Sequence, residues 1–431
     1  MIDKILDSAK RKVDSAEVFF VETVSNEILF EAGKLKSAER KNITGIALRV
    51  IHDGHIGFSS TTDPDRTDEM IDAARESSRF GKKALFAFPG KSDTQPVDTF
   101  DPAVEAYSPQ EAVEEGKRGI DFLHETYPKG LPYLSIATSV SNISIANTSG
   151  LYSSYRSTGF SHDIVINIIE GDSILWISDG GEYGRLVLKT DEYVKKIADL
   201  ARKAEKKAPK ISGTFPVIFT AREIPTILQS IELGVDGMRL VKGDSPLIGR
   251  EGEHVLGSIT LTDDPFIEGA PGSCPFDDEG IPSQRTTIFK DGVFQSFLFD
   301  LDTAAEAGRT TTSNAGRSLL SSPSVSRSNL VMSTGESDLD EMVSGIDKGI
   351  IVYRVIGGGQ SNLIAGDFAV NLVLGFMIDN GEVAGRLVDS MVSGNVYDAF
   401  GAVSAMCRNT RQTGSLFVPD VTFSELSISS S

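Results

Sequence analysis

Histidine is scarce in this chain: there are five, and they are scattered. His52 and His55 flank the pair Asp53-Gly54, so both reach one hairpin mouth. A zinc site needs three or four ligands, and no third lies nearby in sequence, so the two read as turn decoration. His124-Glu125 begins like a metalloprotease helix, but Thr-Tyr-Pro-Lys-Gly follows. The proline breaks that helix, and the second histidine never comes. Cys274 has no histidine beside it to hold a thiolate and reads as an inert thiol. The run Gly357-Gly-Gly-Gln-Ser-Asn lacks the lysine and hydroxyl of a phosphate-binding loop. Its glycines suit a sheet corner better.

Carboxylates offer more. Asp277, Asp278 and Glu279 stand in a row before Gly280. Such a row repels itself unless it is solvated, paired with arginine or used on a ligand. Arg285 lies within reach on the same loop-to-strand segment, so an arginine pair that fixes the loop and a substrate contact are both open. Asn314, Arg317 and Asn362 present the same choice between lining a cleft and holding turns. Asp277, Asp278, Glu279, Arg285, Asn314 and Arg317 are therefore the substrate-cleft candidates.

Composition narrows the setting. With 42 basic and 61 acidic residues among 431, the net charge of -19 repels phosphate backbones and argues against nucleic acid. The densest basic stretch, Lys203, Lys206, Lys207 and Lys210, reads as the solvated end of a helix. No apolar run approaches the roughly 20 residues that span a bilayer. The N-terminus lacks the pattern of a signal peptide, and two distant cysteines suit a reducing compartment. A cytoplasmic protein with no membrane span is expected.

The elements that must position these residues alternate in type. A helix over residues 1–13 leads to apolar-alternating strands at 16–24, 26–31, 33–40 and 44–51, with Asp53-Gly54 as a hairpin turn. A helix from Thr67 follows, then a proline-bearing linker over 86–108. Ser108-Pro109 caps another helix. Strands follow at 134–137, 142–147, 150–156 and 161–169, then a polar helix at 191–207. Beyond residue 212 the chain is glycine-rich, with short strands, turns at Asp291-Gly292 and Asn380-Gly381, and one early helix near 221–233. The expected fold is α+β: a helix–meander–helix N-terminal part followed by a larger, mostly β C-terminal domain. The domains are placed at 1–95, 96–212 and 213–431.

Several segments in order resemble the TldD/PmbA family, also labelled modulators of DNA gyrase. They are Ala16-Glu-Val-Phe-Phe-Val-Glu, Gly45-Ile-Ala-Leu-Arg-Val, His55-Ile-Gly-Phe-Ser-Ser, Pro275-Phe-Asp-Asp-Glu-Gly, Asp300-Leu-Asp-Thr-Ala, Gly375-Phe-Met-Ile-Asp-Asn-Gly-Glu and Ser393-Gly-Asn. The resemblance implies a heterodimeric cytosolic metallopeptidase. Its TldD subunit carries two histidines and a glutamate in an HExxxH helix, with a cysteine near the C-terminus as third metal ligand. The TldE/PmbA subunit lacks that motif. In this chain the matching helix lies within residues 220–237, and no histidine occurs from 163 to 253. Glu232 remains there without a metal-bound water to deprotonate.

The resemblance thus places the chain on the TldE/PmbA side, non-catalytic, with zinc or another metal expected only in a TldD-like partner. Partners implied are that TldD-like subunit or a second copy of the chain, together with an extended peptide. A stand-alone homodimer that binds peptides or proteins is the alternative. A third reading, a lone peptidase built from scattered ligands, would need Cys407 or His254 at its metal.

Overall fold

The computed structural model describes residues 1–171, 173–358 and 361–430. Gly359 and Gln360 of the glycine run at 357 lie outside the described residues.

Residues 1–212 build one six-stranded antiparallel sheet in the order β3-β2-β1-β4-β5-β6. Its strands are β1 (Ser15–Glu31), β2 (Lys34–His52), β3 (His55–Thr61), β4 (Leu131–Asn147), β5 (Tyr152–Glu170) and β6 (Ser173–Tyr183). Residues 1–95 and 96–212 each give three strands to it, joined where β1 pairs with β4 from Glu17↔Asn147 to Phe30↔Leu134.

The strands expected at 16–24 and 26–31 are thus one, as are those at 33–40 and 44–51, and the second meander collapses likewise into β4 and β5. Thr23, Ser25 and Asn26 stand at the junction of the two expected strands. The structure satisfies two of them across the ladder: Thr23 meets Ser141 at 2.9 Å, and Asn26 donates to Thr138 at 3.2 Å. The turns are as expected. Asp53 and Gly54 have φ of 50° and 73°, the positive values that a two-residue hairpin of the I′ kind requires.

The period of two along β1 assigns the faces of the sheet. Val18, Ile28 and Phe30 point one way. At one end α1 (Ile2–Ala9) and α2 (Thr67–Ser78) cover this face through Ile5, Leu6, Met70 and Ile71. A short helix α3 (Pro102–Ala106) leads to α4 (Pro109–Thr126) and then α5 (Thr190–Ala204), which cover the other end through Ile120, Leu123, Val194 and Ile197. Ser108 caps α4 in a reciprocal box with Glu111, as its sequence promised. Phe19 and Val21 point the opposite way, toward Phe276 of the C-terminal lobe.

The C-terminal lobe opens with β7 (Gly213–Phe219), α6 (Ile224–Gly234) and α7 (Gly237–Lys242). β7 lies between the strands Lys348–Gly357, parallel to it, and Val421–Ser430, antiparallel. Pairing of Lys348–Gly357 with Asp367–Asp379 closes this sheet on itself. A second sheet contains Leu261–Asp263, Thr286–Lys290, Leu330–Met332 and Leu416–Val418. Ile227 and Ile231 of α6 are buried in the core that contains residues from both sheets. Among the described residues, no helix is long and apolar enough to cross a membrane.

Candidate functional site

Helix α6 forms one wall of a cavity in this lobe. It starts on Glu223, whose buried carboxylate accepts the Val355 N–H at 3.1 Å and an Arg354 bond at 3.3 Å. Burial lifts that carboxyl above its ordinary range, against the pull of Arg354. Pro225 fits the first turn, where its missing N–H costs nothing. The outer end of α6 borders a cavity of about 430 Å³ between the helix and the second sheet. Its wall includes Val235, Leu261, Ile288, Leu298 and Leu330, and its polar rim includes Gln229, Glu232, Asp236, Arg327 and Ser415.

Glu232 has a partner the sequence gave no hint of. Arg327 Nε donates to its Oε2 at 3.0 Å, and Arg327 Nη1 donates to Ser415 Oγ at 2.5 Å. Glu232 and Arg327 are 95 residues apart. Only the folded sheet brings them together, and no spacing rule could have found the pair.

A catalytic metal does not fit this helix. It carries no imidazole and no thiol, and its one acid at the cavity is held by a guanidinium. Cys407 lines a different hollow, with Ala221, Arg411 and Asp420. It is buried against Met342 Sδ and Asp420 Oδ2, each at 3.5 Å. Burial, then the Asp420 charge, pushes its thiol up to about 12, the reverse of what a thiolate ligand needs. His254 is exposed and bridges to Val293, away from the cavity.

At the hairpin mouth His52 gathers two carboxylates, and His55 is not among them. Asp14, His52 and Asp53 have ligand atoms within 4.8 Å of one another. This group lies at the surface, with Asp14 Oδ2 already accepting the Asp53 N–H at 2.9 Å.

The six cleft candidates lie elsewhere, and none borders the cavity on α6. Asp277 is 4% exposed and organises its loop, accepting the N–H groups of Glu279 and Ile281 at 3.0 Å and of Ala315 at 3.2 Å. Asp278 accepts the Arg317 N–H at 2.8 Å. Glu279 accepts Arg49 Nη1 at 2.6 Å and the Leu301 N–H at 2.7 Å. Gly280 turns this loop at a φ of 77°, with Leu151 packed so close that a Cβ would collide with it.

An arginine does fix the acidic loop, but it is not Arg285, which is exposed and pairs with Asp264 at 2.8 Å. The arginines are Arg49 and Arg317, brought from β2 and from beyond residue 314. Arg49 also binds Glu17 at 2.9 Å and stacks under Phe86 and Phe88, each ring centre 5.1 Å away. Burial works against its charge, yet Glu17 and Glu279 hold its guanidinium above the ordinary arginine value. Asn314 is buried and donates to Asp263 at 2.8 Å.

A second ionic cluster crosses the lobes at Asp179 on β6. This carboxylate is 1% exposed and meets Lys196 of α5 at 3.1 Å, Arg222 at 3.2 Å and Arg411. Burial opposes its charge, but the three cations prevail and hold its carboxyl down at about 2.

These features define a two-lobed α+β protein: a long antiparallel sheet clasped to a closed-sheet lobe, with a cavity on the lobe's first long helix. The chain belongs to the PmbA/TldD metallopeptidase family. Residues 212–430 match the domain described as PmbA/TldA metallopeptidase C-terminal domain, and residues 16–79 match PmbA/TldA metallopeptidase domain 1. A metalloprotease of Methanothermobacter thermautotrophicus is 27% identical over 94% of this chain and 90% of its own length. The metalloprotease PmbA of Escherichia coli O157:H7 is 25% identical over 97% and 94%. The crystal structure of TldE from Thermococcus kodakarensis shares the fold, with a TM-score of 0.91, 23% identity and 99% of both chains covered.

Proposed function

We propose that this chain is a non-catalytic, TldE/PmbA-like subunit that pairs with a TldD-like metallopeptidase chain in the cytosol and helps enclose an extended peptide. The observation that carries this reading is the Glu232–Arg327 pair on α6. At the helix where the active relatives are expected to hold their metal, this chain has no imidazole, and a guanidinium takes the glutamate that would serve as base. An arginine cannot lower the pKa of a water as zinc does. What remains is a cavity with an apolar wall and polar rim, suited to holding a substrate. The family membership and the shared fold with a TldE protein support the assignment.

The test is co-expression with a TldD-like chain. The two should co-purify, and peptide hydrolysis should appear only in the mixture and vanish with chelator. Chelator-sensitive hydrolysis by this chain alone, with a stoichiometric metal, would overturn the proposal. A homodimer that ignores the TldD-like chain and adds nothing to its activity would favour a stand-alone peptide-binding protein.

A further inference from the structure

The cavity on α6 carries more acid than base. Glu232 uses Oε2 on Arg327, and its Oε1 has no hydrogen bond among the described residues. Asp236 also lines the cavity. Through Oδ1 it caps α7 at the Met238 N–H, 2.8 Å away. Its Oδ2 is unpartnered, and it forms no ion pair among the described residues. Among the described residues Arg327 is the one cation that lines the cavity, and its Nε and Nη1 are already engaged by Glu232 and Ser415. Beneath this rim lies a wall of Val235, Leu261, Ile288, Leu298 and Leu330.

We propose that this cavity anchors the free amino terminus of a peptide whose first residue is apolar, with the α-ammonium held at Glu232 and Asp236. An ammonium offers three donors and no acceptor, which suits two unpartnered carboxylate oxygens. In a partly dry cavity those charge-assisted bonds replace hydration at little loss. The apolar wall takes the first side chain and would penalise a polar one. Arg327 Nη2, free among the described residues, is left to donate to the first carbonyl. A peptide carboxylate is the poorer partner: it would face Glu232 and Asp236, while Arg327 is already engaged by Glu232 and Ser415. Burial lifts the Asp236 carboxyl above its ordinary range, outweighing its capping bond to the Met238 N–H and the charges of Arg239 and Lys242.

This inference rests on the peptide handling proposed above and sharpens it to one end of the peptide. The full chain, without partner, would be titrated calorimetrically with leucyl-leucine amide, its N-acetyl form, N-acetyl-leucine and N-acetyl-lysine amide. The free-amine dipeptide should bind. Acetylation should weaken it about tenfold or more, the worth of a charge-assisted hydrogen bond. The lysine probe, whose ammonium sits on a long stem, should bind more weakly as well.

Asp236→Asn should lose the preference for the free amine while keeping its fold, because asparagine caps a helix as well as aspartate does. Glu232→Gln gives an independent check. Equal binding of free and acetylated dipeptides, tightest binding of N-acetyl-leucine or of the lysine probe, or no binding of any probe would overturn the anchor. Those results leave the subunit assignment standing if hydrolysis still appears with the TldD-like chain. Failure of that mixture with amine-selective binding intact sinks the assignment alone.

Discussion

Glu17, the third residue of β1, and Arg317 in the C-terminal lobe form an ion pair of 2.7 Å in which both side chains are fully buried, 300 residues apart. Arg317 Nη2 also donates to the Asp278 carbonyl, and Phe19 lies under the guanidinium with its ring centre at 4.7 Å. The ring face serves Nε and Nη1, which lack hydrogen-bond partners among the described residues.

Removing one member of such a pair leaves the other charge under-compensated in a dry site. Arg317→Ala should cost about 3–5 kcal/mol of stability, because Glu17 would keep only Arg49. Urea denaturation measures it as a lowered midpoint. A cost below about 1 kcal/mol, the range of exposed pairs, would mean the contact does not join the lobes in solution.

Asp179→Asn is the matching test at the other clasp. It leaves Lys196, Arg222 and Arg411 without their shared carboxylate. Because the folded pKa is depressed to about 2, the stability Asp179 contributes is present above its ordinary 3.8 and lost as pH falls through 2. The variant should be less stable than the wild type at pH 7, and the gap should close in strong acid. An unchanged gap at pH 2 would contradict the charge argument.

His162 is fully buried between Phe160 and Tyr193, with Nε2 unpartnered among the described residues. Burial holds its folded pKa down at about 4, against the pull of Glu115, while Arg118 works with burial. The unfolded chain therefore takes up a proton below its ordinary 6.5 that the folded chain refuses, so stability is lost as pH falls from 6.5 toward 4. The loss attributable to this ring is roughly 3 kcal/mol. His162→Phe should flatten that slope in denaturation curves taken at pH 7, 6 and 5. A slope identical to the wild type would assign the effect elsewhere.

Both thiols should be inert in the folded protein. Cys274 and Cys407 are each pushed up to about 12, chiefly by burial. A thiol reagent at pH 8 should label neither until denaturant is added. Rapid native labelling of Cys407 would instead indicate an accessible thiolate, and with it a case for a metal ligand.

What was legible in the sequence was local or periodic. The Asp53-Gly54 turn, the Ser108 cap and the alternation of β1 all carry their signal within a few residues. Strand length was not legible, because Thr23 and Asn26 look like a break until Ser141 and Thr138 are set beside them. The acidic loop was seen, with arginine pairing as one of two open readings, yet Arg49 lies 230 residues from Glu279 and could not be chosen over nearby Arg285. The absent histidines of α6 were visible at once. What stands in their place was not, because Arg327 reaches Glu232 only through tertiary folding.

The two clasps also constrain how such a chain can change. Glu17, Arg49 and Asp179 belong to the first lobe, while Glu279, Arg317, Arg222 and Arg411 belong to the second. A lobe borrowed from a relative would bring half of each circuit and meet the wrong charges in a dry interface. Drift at either face must therefore be answered at the other, and the lobes are heritable as a unit even where their surfaces are free to vary.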